Sequence, residues 1–189
     1  MPRHYMIDIE TWDTAPTAVI RAIAIVGFDL SGETDLMAVI DCRKTTDWQL
    51  EAGATTSLET AEWWKKKADS LGTMLARTKK LANIDINQPT TADELLDAIE
   101  FSLHGVEPDD RIWSRGHFDI AILGSLLDAY GHPIPWRYHQ VRDVRTLDEI
   151  TPPVKSQMPH HPLADCLAQI EQVCSALRLA KAGTDERAQ

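Results

Sequence analysis

The chain has 189 residues, of which 43% are hydrophobic and 25% are charged, as in an ordinary soluble globular domain. Its formal net charge of −10 argues against non-specific binding along a nucleic acid, because that binding depends on neutralising phosphates with Lys and Arg. No segment approaches the ~20 apolar residues of a membrane span, and the N-terminus lacks the apolar core of a signal peptide. We therefore predict a cytoplasmic protein without a membrane partner, whose Cys42, Cys166 and Cys174 are reduced thiols.

The first part of the chain has the pattern of three strands. Residues 3–9 alternate between apolar and polar side chains, and residues 18–30 form a long run rich in β-branched residues. Turn-forming residues at 31–34 separate that run from a third strand over residues 35–41. Because the connections are short, these strands predict an antiparallel meander.

The rest of the chain has mainly helical patterns. Thr91 is the predicted N-cap of one helix, with Glu94 in the capping-box position, and Gly131 is predicted to end another. Residues 137–150 indicate a short strand or turn and then a helical turn. The predicted helices cover residues 59–68, 71–81, 91–104, 118–130 and 161–180, and a short strand covers residues 111–114. The last helix is predicted to bury Leu163, Leu167, Ile170, Cys174 and Leu177.

These elements predict a single α/β domain. No internal repeat or linker divides residues 1–180, and residues 181–189 have no apolar stripe, so we expect this tail to fray. The expected architecture is a mixed sheet, with the antiparallel three-stranded meander extended by parallel strands and flanked by helices.

Three separated segments carry residues suited to a metal site. Asp8 and Glu10 lie two apart on a predicted strand and therefore face the same side, while Asp119 and Asp165 lie near the starts of two helices. Carboxylate oxygens are the ligands that Mg²⁺ and Mn²⁺ prefer. A neutral imidazole, from His160, could accept a proton from an attacking water. The pattern predicts a nuclease that holds two divalent cations beside a phosphodiester.

The three segments resemble the motifs of the DnaQ-like (DEDDh) 3′–5′ exonucleases, and more narrowly the exodeoxyribonuclease VIII-like and RNase AS-like subgroup. The first motif corresponds to Asp8-Ile9-Glu10-Thr11 and the second to Gly116-His117-Phe118-Asp119. The third has four residues between His160 and Asp165, as in the histidine branch. This resemblance implies a ribonuclease H-like fold, two Mg²⁺ or Mn²⁺ ions, and release of nucleoside 5′-monophosphates from single-stranded DNA or RNA 3′ ends. It also implies a possible homodimer.

Three of the acids also have a structural interpretation. Asp8 and Glu10 could lie on the water-facing side of an edge strand, and Asp119 could simply favour the start of a helix dipole. Because all the motif members occur in the expected order, we favour the metal site. Of the adjacent histidines, the spacing selects His160 as the base and leaves His161 as a structural or rim residue.

The substrate-binding candidates lie beside these motifs: Thr11, Trp12, Trp64 and His117. Trp12 could stack on the terminal base, a contact worth about 1–3 kcal/mol. Trp63 and Trp64 are adjacent on a helix, so at most one of them should face the site. No specific role is predicted for His117.

Two functional alternatives and two sets of basic residues stay open. The chain could be a non-catalytic ribonuclease H-like module that binds nucleic-acid ends or a protein, or an endonuclease that cuts inside a strand. Complete motifs argue against the first, and the histidine spacing argues against the second.

Basic side chains could contact phosphate or serve only as surface charges and partners of Asp143 and Asp148: Lys65, Lys66, Lys67, Lys79, Lys80, Arg137, Arg142 and Arg145.

Overall fold

In the computed structural model, which describes residues 3–67 and 86–185, five strands form one sheet in the order β3-β2-β1-β4-β5. The strands are β1 (His4–Thr11), β2 (Ile20–Phe28), β3 (Thr34–Asp41), β4 (Arg111–Ser114) and β5 (Val141–Asp143). The first three strands are antiparallel, whereas β4 runs parallel to β1 and β5 parallel to β4. The predicted mixed sheet, a meander extended by parallel strands, is confirmed.

Five α-helices accompany the sheet in the described part of the chain: α1 (Thr46–Glu51), α2 (Leu58–Lys66), α3 (Ala92–Leu103), α4 (Phe118–Ala129) and α5 (Pro162–Asp185). The sequence did not predict α1, which has six residues and buries only Gln49, so it carries no apolar stripe. The helix predicted over residues 71–81 lies outside the described residues. Among the helices that are described, none is long and apolar enough to cross a membrane.

The sheet has a core on each face. Tyr5, Ile7 and Ile9 of β1 pack on one face with residues of α3 and α4. Met6 of β1 packs on the opposite face with residues of α5. Because side chains alternate along a strand, Asp8 and Glu10 lie on the same face as Met6 and also face α5. This alternation decides which helix can complete the site.

The buried stripe of α5 differs from the predicted one. Cys166, Ile170 and Val173 are nearly inaccessible to solvent, whereas Leu167 is 45% exposed. The prediction for Leu167 was wrong because the centre of the stripe passes through Cys166 and Ile170, which turns Leu167 to the margin of the helix. The helix continues to Asp185, so it includes the start of the segment expected to fray.

Two predicted helix boundaries have clear physical causes. The Thr91 hydroxyl accepts the backbone N–H of Glu94, which confirms the N-cap of α3. The Glu94 carboxylate, however, accepts from the backbone N–H of Thr90 rather than of Thr91, so the reciprocal capping box is displaced by one residue. Gly131 has φ 70° after the end of α4, the left-handed conformation expected of a glycine at a helix C-terminus.

Candidate active site

The first two acids of the site lie on the face of β1 that packs against α5. Asp8 and Glu10 are each about 9% exposed, and they follow Met6 of the core on that same face. The strand is in the middle of the sheet, paired with β2 on one side and β4 on the other. The alternative of a water-facing edge strand is therefore wrong.

A tight turn after β4 brings the third acid to β1. Gly116 has φ 100°, a conformation that side chains other than glycine rarely adopt, and its N–H donates to Asp143 Oδ1 at 2.9 Å. The chain then enters α4, and Asp119 lies in its first turn. Asp119 Oδ1 accepts the backbone N–H of Ile9 at 3.3 Å, between the two acids of β1.

The first turn of α5 supplies the fourth acid. Ligand oxygens of Asp8, Glu10 and Asp165 all lie within 4.8 Å of one another. These three acids, together with Asp119 and His160, line one cavity of about 360 Å³. The structure therefore brings together all five residues predicted for catalysis and metal binding.

The acids are held in an environment that resists their ionisation. Burial, followed by the charges of Asp119, Glu10 and Asp165, raises the pKa of Asp8 well above its ordinary value. Burial and the charges of neighbouring acids raise the pKa of Glu10 to about 8, and burial raises that of Asp119 to about 7. Burial also raises the pKa of Asp165.

This electrostatic situation fits a site for hard divalent cations. Several carboxylates are gathered in a partly enclosed cavity, and burial with mutual repulsion makes their charged forms costly there. A cation would relieve that cost by favouring the ionised acids. An all-oxygen donor set suits Mg²⁺ or Mn²⁺ rather than a metal that prefers thiolate or imidazole.

The two adjacent histidines have different environments. His160 lines the cavity, and burial lowers the pKa of its imidazole, so the ring is neutral at pH 7. Its backbone N–H donates to Asp165 Oδ2 at 2.8 Å. His161 is fully buried, and the backbone N–H of Ala164 approaches its Nδ1 at 3.4 Å. Spacing thus selected the histidine that faces the cavity.

Helix α5 also presents two glutamines to the cavity. The Gln169 side-chain amide donates to Asp8 Oδ1 at 2.9 Å and so fixes one oxygen of that carboxylate. Gln172 donates to Asp148 Oδ1 at 2.8 Å, and Asp148 forms an ion pair with Arg115 at 2.9 Å. Among the described residues that line this cavity, Arg115 is the only arginine or lysine.

A second cavity of about 400 Å³ adjoins the first and shares Glu10 and Phe118 with it. Thr11 and both residues of the Trp63-Trp64 pair line this second cavity. Trp64 is 4% exposed and donates its indole N–H to Thr11 O at 2.8 Å, whereas Trp63 is 37% exposed. Trp63 is therefore the more exposed ring of the pair, although Trp64, the candidate named from the sequence, lines the same cavity.

Two other substrate candidates lie away from these cavities. The Trp12 ring packs against Arg21, whose guanidinium carbon lies 4.5 Å from the Trp12 ring centroid and 3.8 Å from that of Trp64. Arg21 therefore covers one face of the Trp12 ring. His117 is exposed at the start of α4 and lines neither of the two cavities.

Two of the basic residues left open by the sequence have local partners. Arg145 pairs with Asp143 at 2.9 Å, and Arg142 donates to the backbone carbonyls of His139 and Val141. The arginine that pairs with Asp148 is Arg115, rather than one of the predicted Arg137, Arg142 and Arg145. Lys79 and Lys80 lie outside the described residues.

Sequence reasoning missed several residues that line the site, including Arg115, Gln169 and Gln172. A signal was available for the two glutamines, because they lie four and seven residues after Asp165 and so share its helix face. Arg115 directly precedes the second motif, but no spacing rule predicts that its side chain turns toward the acids. The contact between Trp64 and Thr11 joins distant segments and has no local signature.

Comparisons with known proteins identify the family of this chain. A family model described as the 3′-5′ exoribonuclease Rv2179c-like domain matches residues 3–177. The solved structure of cell-death related nuclease 4 (CRN-4) matches with a TM-score of 0.45 and 11% identity, over 94% of this chain and 64% of that chain. The comparison with curated proteins gave no match. Because the family model covers most of its length, the chain belongs to the Rv2179c-like 3′-5′ exoribonuclease domain family.

Proposed function

We propose that the protein is a 3′–5′ exonuclease that removes nucleotides from single-stranded RNA with two divalent cations, Mg²⁺ or Mn²⁺. The observation that carries this proposal is the convergence of all the predicted acids on one cavity that also contains His160. The description of the family as 3′-5′ exoribonucleases supports both the direction and the RNA substrate. Single-stranded DNA is the alternative substrate.

The carboxylates of Asp8, Glu10, Asp119 and Asp165 would hold the ions. Asp8, Glu10 and Asp165 already have ligand oxygens within 4.8 Å of one another. Asp119 lies beside them through its hydrogen bond to the strand between Asp8 and Glu10. When bound, divalent cations lower the pKa of a water molecule and stabilise the charge that develops on the phosphodiester.

His160 is the proposed general base. Its imidazole is neutral at pH 7 because burial lowers its pKa, and a neutral imidazole can accept the proton of the attacking water. Its backbone N–H holds Asp165 Oδ2, so the base and one ion-binding acid have a fixed relative position. This hydrogen bond fixes the backbone that carries the base next to the ions.

Arg115 is the proposed phosphate contact. A substrate phosphate entering a cavity lined by four acids needs a positive partner besides the ions, and Arg115 lines this cavity. Asp148 and Gln172 hold the guanidinium in place through contacts at 2.9 Å and 3.3 Å. A fixed guanidinium suits phosphate because it presents several N–H donors in one plane.

The second cavity is the proposed site of the 3′-terminal nucleoside. It shares Glu10 with the first cavity, and the Phe118 ring, which is 37% exposed, offers an apolar surface to a base there. The hydroxyls of Ser57 and Thr60 line the same cavity. Hydroxyl groups can exchange hydrogen bonds with a ribose 2′-OH, the group that distinguishes RNA from DNA.

The test compares the wild-type protein with Asp119→Asn on 5′-labelled single-stranded RNA and DNA, in Mn²⁺ and in EDTA. The proposal expects progressive shortening of RNA by the wild-type protein in Mn²⁺, and neither EDTA nor the variant should allow it. The alternative of a non-catalytic binding module predicts a retarded but intact strand in every sample. Equal shortening in EDTA would exclude the metal mechanism.

A further inference from the structure

We propose that α2 joins the two halves of the active site through its adjacent tryptophans, and that Trp63 is the positioning residue of the base His160. This inference rests on the proposed function, because His160 has a base to be positioned only if the site is catalytic. It assigns a role to the Trp63-Trp64 pair, which the metal mechanism does not use. Both rings lie near the His160 imidazole, with centroid distances of 4.7 Å for Trp63 and 6.3 Å for Trp64, but Trp64 also holds Thr11.

Trp64 secures the end of the strand that carries the first acids. Its indole N–H donates to the carbonyl oxygen of Thr11 at 2.8 Å, and the ring is 4% exposed. Thr11 directly follows Glu10 at a point where the pairing of β1 with β2 shifts register. A buried hydrogen bond at such an irregular point restrains the backbone next to the ion-binding carboxylate.

Trp63 reaches the other half of the site. Its ring contacts the imidazole of His160 edge to face, with centroids 4.7 Å apart and planes at 88°. The Trp63 and Trp64 rings also meet edge to face, at 4.8 Å. Successive side chains on a helix point in directions about 100° apart, so neighbouring tryptophans can serve two different partners.

The backbone of His160 is also held in an uncommon conformation. His160 has φ 67°, the one positive φ outside glycine in the described part of the chain. A non-glycine residue keeps this conformation only when its surroundings determine it strongly. Asp165 Oδ2 holds the backbone N–H at 2.8 Å, and Trp63 contacts the ring, so backbone and side chain are restrained separately.

A competing role for Trp63 would be direct stacking on the substrate base, because its ring is 37% exposed and lines the second cavity. The two roles affect different kinetic constants. Loss of a ground-state substrate contact raises KM, whereas loss of base positioning lowers kcat. Misplacement of a reacting group by about 1 Å can cost on the order of 100-fold in rate.

The experiment measures kcat and KM on 5′-labelled single-stranded RNA in Mn²⁺ for Trp63→Ala and Trp63→Phe. We expect Trp63→Ala to lose about 10- to 100-fold in kcat, with little change in KM, and Trp63→Phe to recover most of the loss, because phenylalanine retains an aromatic surface. Leu58→Ala is the matched control, since Leu58 is a large apolar residue of the same helix and is 85% exposed. It should leave both constants unchanged.

A double-mutant cycle with His160→Ala decides whether Trp63 acts through His160. His160→Ala alone should lose about 10²–10⁴-fold in kcat, and adding Trp63→Ala to it should cost little more, because there is then no base to position. Additive losses, or a raised KM with unchanged kcat, would overturn the inference. Inactivity of the wild-type protein on every RNA and DNA strand would instead contradict the proposed function.

Retention of metal binding separates positioning from general damage to the site. The rise in melting temperature on adding Mn²⁺ should be the same in Trp63→Ala, Trp63→Phe and the wild-type protein, because the ring–ring contacts of Trp63 are with Trp64 and His160. Loss of this rise in both Trp63 variants would show that the substitutions disturb the metal site itself, and the inference would fail.

Discussion

Gln169 is the residue that fixes the orientation of Asp8. Its amide N–H donates to Asp8 Oδ1 at 2.9 Å, and the Gln169 side chain is itself 8% exposed. A carboxylate held through one oxygen presents the other in a defined direction, which lowers the entropic cost of capturing an ion. Partners of metal ligands commonly affect affinity in this way.

We therefore predict that Gln169→Leu weakens Mn²⁺ binding by about 10- to 100-fold, because Asp8 loses the hydrogen bond that orients it. Isothermal titration calorimetry on the protein without substrate measures this affinity directly. Gln157→Leu provides the control, since Gln157 is exposed. Equal affinities for wild type and Gln169→Leu would show that Asp8 needs no such partner.

The sequence predicts which residues carry the chemistry of the site better than it predicts which residues contact them. Asp8, Glu10, Asp119, His160 and Asp165 could be found because spacing and residue type carry the information, and the cavity contains all five. The different exposures of Trp63 and Trp64 could not be predicted, since propensity does not say which of two adjacent helical side chains faces the core. That choice depends on how α2 packs against the end of β1.

Among the elements, the turn between β4 and α4 has the most direct effect on the site. It combines a positive φ at Gly116 with a hydrogen bond from the Gly116 N–H to Asp143. A Cβ at Gly116 would lie 2.8 Å from Arg145 Nη2. The turn sets the start of α4 and therefore the position of Asp119.

Gly116→Ala should destabilise the protein by about 1–3 kcal/mol, because alanine is strained at this φ. It should also abolish most activity, since Asp119 would move relative to Ile9. Chemical denaturation and the RNA assay measure the two effects. Gly53→Ala is the matched control, because Gly53 has φ 93° but open space around it and lies in no part of the site.

For Gly53→Ala we expect a similar cost in stability with normal activity. Normal activity of Gly116→Ala as well would contradict the role given to the turn. The contrast between the two variants separates backbone strain, which they share, from displacement of Asp119, which only Gly116→Ala should cause.

The elements themselves could be predicted wherever a strong periodicity exists. The three strands of the meander and helices α3 and α4 follow their apolar patterns and caps. Helix α1 was missed because six residues with one buried side chain produce no pattern. The error at Leu167 arose because a one-dimensional spacing does not fix the rotation of α5 against the sheet.

For the whole molecule, the acidic site should make stability depend on pH. Glu10 and Asp119 have pKa values raised to about 8 and about 7 in the folded protein, compared with about 4 in an unfolded chain. Between these values the folded state holds more protons than the unfolded state, so stability falls as pH rises. The stability associated with these two groups is fully present below about pH 4 and lost by about pH 8.

In EDTA, the melting temperature should therefore be lower at about pH 8 than at about pH 6. Adding Mg²⁺ should reduce this difference, because the ion binds the ionised acids and stabilises the folded state most where they are deprotonated. Asp119→Asn in EDTA should show a weaker pH dependence than the wild-type protein. A melting temperature that rises from about pH 6 to about pH 8 in EDTA would contradict the account.

The domain organisation and surroundings of the molecule stay predictions. We still propose a single domain over residues 1–180 with a tail that frays beyond it, although α5 continues to Asp185. A cytoplasmic location and a possible homodimer also stay predictions. Cooperative unfolding and the molecular mass in solution would test the domain and the homodimer.

The most direct test of the central claim is the direction of strand shortening in Mn²⁺. A 5′-labelled linear RNA with a free 3′-OH should give a ladder that shortens one nucleotide at a time. The same RNA with a 3′-phosphate should be shortened far more slowly, and a circular RNA of the same sequence should stay intact, because the site needs a terminal nucleoside. Steady cutting of the circular strand, or release of the 5′ label as the first product, would contradict 3′–5′ exonuclease activity.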